Sequence, residues 1–269
     1  ESGAATYSVP LELPAGTAGV RPELSLNYNS QSGEGFVGKG WSIGGTSAIS
    51  RCPKTIAQDG VIGSVTGANS DRLCYGGQRL VKKGDLNASD SSYWAATQYV
   101  TEIDSFAIFH RFGSDAFVKE TKSGEQHLFG NINAIGADKN DTLGNKFKPS
   151  DYPDTYPSEA SGTSDGVVKN DAGTALVWSL KAIKDVKHNY MLFEYDLAEN
   201  YLTQVKYTGK FSVAEDGTEV APYAYVDFVY ENNGRQSQGF WAGKTTKQTK
   251  LLDYIEISID GHSYRRYDL

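Results

Sequence analysis

Cysteine, methionine and positive charge are all scarce in this chain. Among 269 residues there are two cysteines and one methionine, and 26 basic side chains face 33 acidic ones, a net charge of -7. Each scarcity excludes something. Two cysteines with no Cys-x-x-Cys spacing rule out a thiolate zinc site and a disulfide-built scaffold. Two readings remain for Cys52 and Cys74. They form one bridge, closing a loop of about 20 residues and worth roughly 3 kcal/mol in the chain-entropy picture, or they are two buried thiols. The acidic balance offers no basic stripe for nucleic acid. No apolar run approaches the ~18 residues of a membrane span. The chain opens at Glu1 with neither an initiator Met nor a signal-peptide pattern, and reads as a piece of a longer protein.

What is abundant points to strands and tight turns: 17 tyrosines and 29 glycines. Period-two alternation recurs from end to end. Tyr7, Val9, Leu11 and Leu13 share a face, as do Leu24, Leu26 and Tyr28. "TALVWSLKAI", "NYMLFEYD", "NYLTQVKYTG" and "AYVDFVYE" read as successive strands. Near the end, Leu252 and Tyr254 face one way and Ile255, Ile257 and Ile259 the other. Asp260-Gly261 then has the composition of a two-residue hairpin turn, with "HSYRRYDL" as the returning strand. The strongest helical candidate is a short one, Glu194 to Asn200. Residues 138–173, rich in Asp, Asn, Ser, Gly and Pro, are too long for an ordinary connection and read as a polar surface insertion pinned by Tyr152 and Tyr156.

Two catalytic patterns overlap in "SGEGFVGKGWSIGG". Gly33, Gly35 and Gly38 match G-x-G-x-x-G, but a dinucleotide site needs a helix opening there, and the glycines that follow forbid one. Gly40, Ser42 and Gly44 match G-x-S-x-G, yet "IGGTSAISRCP" cannot supply the helix of a nucleophile elbow. Ser42 reads instead as a strand residue. Glu102 and Asp104, two apart on an expected strand, form a solvated acidic face rather than a glycosidase pair, whose members come from different elements. "DKNDTLGN" from Asp138 lacks the ligand order of a calcium loop. Asn87-Ala88-Ser89 and Asn140-Asp141-Thr142 are glycosylation sequons.

The glycine block belongs to a longer signature, "YSVPLELPAGTAGVRPELSLNYNSQSGEGFVGKGWSIGGTSAISRCPKT". Further segments follow in order: "DRLCYGGQRLV", "YVTEIDSFAIFHRFG", "FVKETKSGEQHLFG", "VWSLKAIKDVKHNYMLFEYD", "YLTQVKYTG" and "LLDYIEISIDGHSYRRYDL". Together they resemble the SpvB-like domain that opens insecticidal toxin-complex B components, the Salmonella virulence-plasmid B protein and many Rhs (YD-repeat) toxin proteins. The insertion at 138–173 and Lys187-His188-Asn189 depart from that pattern. Tyr195-Asp196 and Tyr267-Asp268 are loose echoes of the YD repeat.

The resemblance implies an all-β fold of many antiparallel strands in an extended, curved sheet, with one domain over 1–269. It implies a strand at Arg21 to Asn29, a glycine turn at Ser32 to Gly40 and a return strand from Trp41 to Gly45. Gly38, Gly40 and Gly44 would serve the turn, and Trp41 would anchor it by burying roughly 200 Å². Pro10, Pro14 and Pro22 would hold the flanks extended. Trp178, Leu26 and Tyr28 are expected in the core with Trp41. The role implied is non-enzymatic: a wall of the hollow β-shell that encloses a C-terminal toxin, with no catalytic residue, cofactor or metal. The implied partners are the rest of its own chain, the enclosed toxin and other toxin-complex subunits, with no nucleic acid and no membrane span. The implied location is secreted or extracellular, after a cytoplasmic stage. The tyrosines and the polar insertion also suit a secreted adhesin-like or glycan-binding β module.

Overall fold

The structure is a computed structural model that describes residues 3–86, 96–131, 166–210 and 220–269. Most of the segment at 138–173, with Tyr152, Tyr156 and both sequons' asparagines, lies outside the described residues.

The described chain is almost entirely β. A small sheet holds β1 (Thr6–Pro10), β2 (Ser25–Asn29) and β3 (Trp41–Gly44) in that order. A large antiparallel sheet begins with β4 (Ala48–Cys52), β5 (Arg72–Tyr75), β6 (Gln78–Leu86), β7 (Ala96–Thr101), β8 (Ile108–Phe112), β9 (Ala116–Glu120) and β10 (Gln126–Gly130). It continues through β11 (Val167–Lys169) and β12 (Ala175–Lys184), then β13 (Asn189–Tyr195), β14 (Leu202–Lys210), β15 (Ala224–Trp241), β16 (Lys244–Ile259) and β17 (His262–Asp268).

The sheet both closes and extends. β12 pairs with β4 and also with β10, so β4 to β10 and β12 form a ring of eight strands. From β12 the sheet runs outward through β13 to β17. Closure leaves no unpaired backbone edge within the ring. Its core is aromatic: Phe109, Phe117, Phe129 and Trp178 are fully buried. The same apolar cluster continues under the outer strands through Val205, Tyr207, Val226, Ile255 and Ile257, and takes in Leu11, Leu13, Leu24 and Leu26 from the N-terminal segment. A second cluster, with Val118, Leu128 and Leu192, lies on the face opposite Phe117, Phe129 and Phe193 of the same strands, as period two requires.

Four expectations need correction. Glu102 and Asp104 lie beyond the end of β7 in a loop, not on a strand face; Glu102 accepts from Gln58 Nε2 (2.5 Å) and Asp104 from the Phe106 N–H (2.7 Å). Glu194 to Asn200 is no helix: β13 runs to Tyr195, and the Asp196 carboxylate accepts from the Ala198 and Glu199 N–H groups to make a turn. The described helix is instead the single turn α1 (Ile56–Asp59), capped by Thr55. Leu252 is buried on the same side as Ile255 and Ile257. Tyr230 pairs with Leu252 but Val229 with Tyr254, so a bulge at Asp253 reverses the phase of alternation. The tail of the 138–173 segment is structured, because Val167–Lys169 pairs with β12.

Asp260 and Gly261 turn between β16 and β17 with φ of 51° and 76°, the left-handed pair of a two-residue hairpin. β15 and β16 form an unusually long hairpin. Its tip is held where Asn170 Nδ2 donates to the Ala242 carbonyl (3.1 Å) and the Asp171 N–H to that of Gly243 (3.1 Å). Nearer its base, the Leu252 N–H donates to Phe36 (2.7 Å) and the Thr249 N–H to Glu199 (3.0 Å).

Candidate functional site

The N-terminal signature forms the small sheet and its glycine turn. Gly33, Gly35 and Gly38 lie between β2 and β3, and a strand follows them, not a helix. Ser42 sits on β3 opposite Asn27, with its Oγ donating to the Asn27 carbonyl at 3.5 Å. At Gly40 a Cβ would fall 2.6 Å from the Tyr28 ring, and at Gly44 one would fall 2.2 Å from Asn27 Nδ2. Glycine at both positions lets the two strands and their side chains close together. Gly38 has a φ of 104° in the turn itself. Trp41 pairs across the ladder with Tyr28, their rings 5.3 Å apart. Both are half-buried, whereas Leu26 is 4% exposed. The expectation that Trp41 and Tyr28 are core residues is corrected accordingly: they flank the core, and the leucines of this segment enter it.

Trp178 sits at the centre of the ring. Its indole N–H donates to the Ser114 carbonyl (2.9 Å), and its ring meets Phe117 edge-on at 5.0 Å. The Arg111 guanidinium lies 5.7 Å from each of these two rings.

Cys52 and Cys74 are joined as a disulfide between β4 and β5, with their Cα atoms 5.9 Å apart. The loop so closed carries two ion-pair groups. Asp71 lies 3.6 Å from the buried Arg51 and accepts from the Thr66 and Gly67 N–H groups, while Arg51 also donates to the carbonyls of Ala175 and Ala68. Asp59 accepts from Arg72 (2.7 Å), Arg79 (2.9 Å) and the Thr55 N–H (3.0 Å). Desolvation pushes the Asp59 carboxyl upward, but those donors prevail and hold it at about 2. A carboxyl depressed in the folded state adds stability that is complete above the unfolded value near 4 and is lost as pH falls toward 2. Acid unfolding of the Asp59→Asn variant is therefore expected to lose part of its steepness below about pH 4, measured as thermal midpoint against pH. Equal slopes in variant and wild type would refute that assignment.

The tyrosines act as carbonyl caps. Tyr195, Tyr207 and Tyr230 donate to the carbonyls of Leu180 (2.9 Å), Pro14 (3.2 Å) and Leu202 (2.7 Å). Burial raises all three hydroxyls, that of Tyr207 to about 12. Tyr267 accepts from the Glu12 N–H (2.9 Å), and Arg265 pairs with Glu12 (2.5 Å), so the N-terminal segment is tied to β17. The tyrosines of both YD echoes thus join distant parts of the chain. Long-range pairings of this kind carry no local sequence signal. Among the described residues no cluster of His, Cys, Asp and Glu could hold a metal ion, and no described helix is long and apolar enough to cross a membrane.

Comparison with known proteins accords with this architecture. Residues 1–116 match the family described as Salmonella virulence plasmid 65kDa B protein. No curated protein matches the chain. Among solved structures, the TcdB2-TccC3-Cdc42 complex is similar with a TM-score of 0.63 and 17% identity, covering 95% of this chain and 13% of that one. The N-terminal domain of effector protein SpvB from Salmonella typhimurium strain LT2 is similar at 0.62 and 16%, covering 93% and 86%. The Photorhabdus luminescens Tc holotoxin pore is similar at 0.62 and 18%, covering 95% and 13%. The chain therefore spans about an eighth of the toxin-complex chains (13%) but matches most of the SpvB N-terminal domain. Residues 1–116 thus carry the signature of that family, and over nearly all its length the chain has the fold of the SpvB N-terminal domain.

Proposed function

We propose that this domain is a non-enzymatic wall segment of a bacterial toxin-complex or Rhs-type protein, part of a hollow β-shell that encloses a C-terminal toxin. The observation that carries the reading is the recurrence of its fold, over 95% of its length, within TcdB2-TccC3 chains about seven times as long. The physical character of the domain supports it. Backbone groups are consumed in one fourteen-stranded sheet, and such pairing makes a wall without gaps. Among the described strands β17 pairs only with β16, which leaves an edge on which a further strand of the same protein can pair. Ser42, the one candidate nucleophile, donates to a backbone carbonyl on a strand and has no histidine or carboxylate among its described hydrogen bonds. The protein carrying this domain acts outside the cell that makes it, with the rest of its own chain and the other toxin-complex subunits as partners.

The test uses the full-length protein that carries this domain. Limited proteolysis is expected to spare the C-terminal toxin segment in the wild type and to cleave it in a Trp178→Ala variant at a temperature where only the variant's wall has opened. Equally rapid cleavage of that segment in both proteins, under conditions where the wild-type domain remains folded, would overturn the reading.

A further inference from the structure

The long hairpin is anchored at its tip and near its base, and a cavity of ≈ 720 Å³ lies beneath the span between those anchors. Its floor comes from β11 and β12 (Val167 to Lys169, Val177), one wall from the β13–β14 turn (Leu197 to Asn200), and its roof from residues 237–248. The roof is built in cross-strand pairs. Trp241 lies opposite Lys244, Gly239 opposite Thr246, and Ser237 opposite Gln248. Those pairs sit on one face by the period of two, so a half-buried indole adjoins a gap left by glycine and a row of hydroxyl and amide groups.

Two further observations point to a ligand. Asn200 lines this cavity, and its Oδ1 is buried without a hydrogen-bond partner while its Nδ2 donates to Ser179 Oγ at 2.9 Å. A buried acceptor left unpaired is unusual and costly, and a small turn of the side chain toward the cavity would let an incoming donor satisfy it. Trp241 also lines a second cavity of ≈ 560 Å³, with Pro53, Thr66 and Phe240, so one aromatic residue borders both spaces. The charges at the first cavity balance. Lys169 is taken up by Asp115 (2.7 Å), leaving Lys244 and Lys247 against Glu34 and Glu199.

We infer that this cavity is a binding site for a neutral oligosaccharide. The apolar face of one pyranose ring stacks on Trp241, its hydroxyls meet the Thr246 hydroxyl, the remaining lone pair of Gln248 Oε1 and, as the Asn200 side chain turns toward the cavity, Asn200 Oδ1, and a following ring passes Trp241 toward the second cavity. An indole offers a large apolar face with little entropy to lose, and a few convergent polar groups fix orientation. The site is separate from the shell reading and does not rest on it.

The experiment is binding of the domain to an array of neutral glycans, with maltotriose, cellotriose and chitotriose titrated in solution and followed by tryptophan fluorescence and saturation-transfer NMR. At least one saccharide is expected to bind saturably. Trp241→Ala is expected to weaken it about tenfold or more, and Gly239→Leu, which fills the gap but keeps the indole, is expected to abolish it. Gly239 is exposed, and a Cβ there meets only Thr246 Oγ1, at 2.9 Å, so an unchanged thermal midpoint separates blocked binding from misfolding. No saturable binding anywhere on the array, or binding indifferent to both variants, would overturn the inference.

Discussion

Replacing Trp178 with alanine is expected to destabilise the domain by about 3–5 kcal/mol, the range for removing a large buried aromatic side chain. Trp178 is 0% exposed and touches Phe117 at the centre of the ring. Removing it opens a cavity and strands the Ser114 carbonyl that its N–H satisfies. The neighbourhood cannot collapse to refill the space, since β12 is held on one side by β4 and on the other by β10 and β11. The contrast with Trp41 makes the measurement specific. Trp41 is half-buried against Tyr28 at the margin of the core, so Trp41→Ala is expected to cost less, below about 2 kcal/mol. Urea denaturation of both variants tests the ordering, and a larger loss for Trp41→Ala would show that the small sheet, not the ring, is the keystone.

Reducing the Cys52–Cys74 bridge is expected to cost about 3 kcal/mol, because the bridge restricts the unfolded chain across a sequence separation of 22. For a domain of this size that is a fall in thermal midpoint of roughly 6–12 °C. The cost has a local address. The closed loop carries Asp59 and Asp71, which hold Arg72, Arg79 and Arg51 in place, so its freedom releases the ion pairs as well. Intact mass before and after reduction and alkylation tests for the bond, and the melting curve of the reduced protein tests its worth. A mass unchanged by reduction would establish two free thiols and remove the predicted loss.

The contrast between Asp260-Gly261 and Asp253 explains what could be read from residues alone. The first is a local event: two residues with positive φ turn the chain between β16 and β17 wherever the hairpin lies. The second is a bulge, visible only once β15 is laid beside β16, and it brings Leu252 onto the same buried side as Ile255 and Ile257 instead of the opposite one. Glu102 and Asp104 lie off the strand for a related reason. Alternation does not reveal where a strand stops, and β7 ends at Thr101, whose hydroxyl donates to the Ile103 carbonyl (2.7 Å) and accepts from the Ser105 N–H (3.2 Å) to turn the chain. The cavity under the hairpin had no signature at all. Its groups come from four segments far apart in the chain, and Trp241, Gly239 and Asn200 mean nothing together until the hairpin tip docks on Asn170 and Asp171.

The residues by themselves determined that this chain is all-β, that its opening glycine block turns between two strands, and that its first 116 residues carry an SpvB signature. Those properties are local: the period of side chains along a strand, the steric freedom of glycine, and the order of short motifs. Only the tertiary structure decided that eight strands close into a ring, that Trp178 lies at its centre while Trp41 flanks the core, and that an arched hairpin covers a cavity. Each of these depends on which distant strands share hydrogen bonds, and backbone pairing is nearly indifferent to the side chains that mark a strand in the first place.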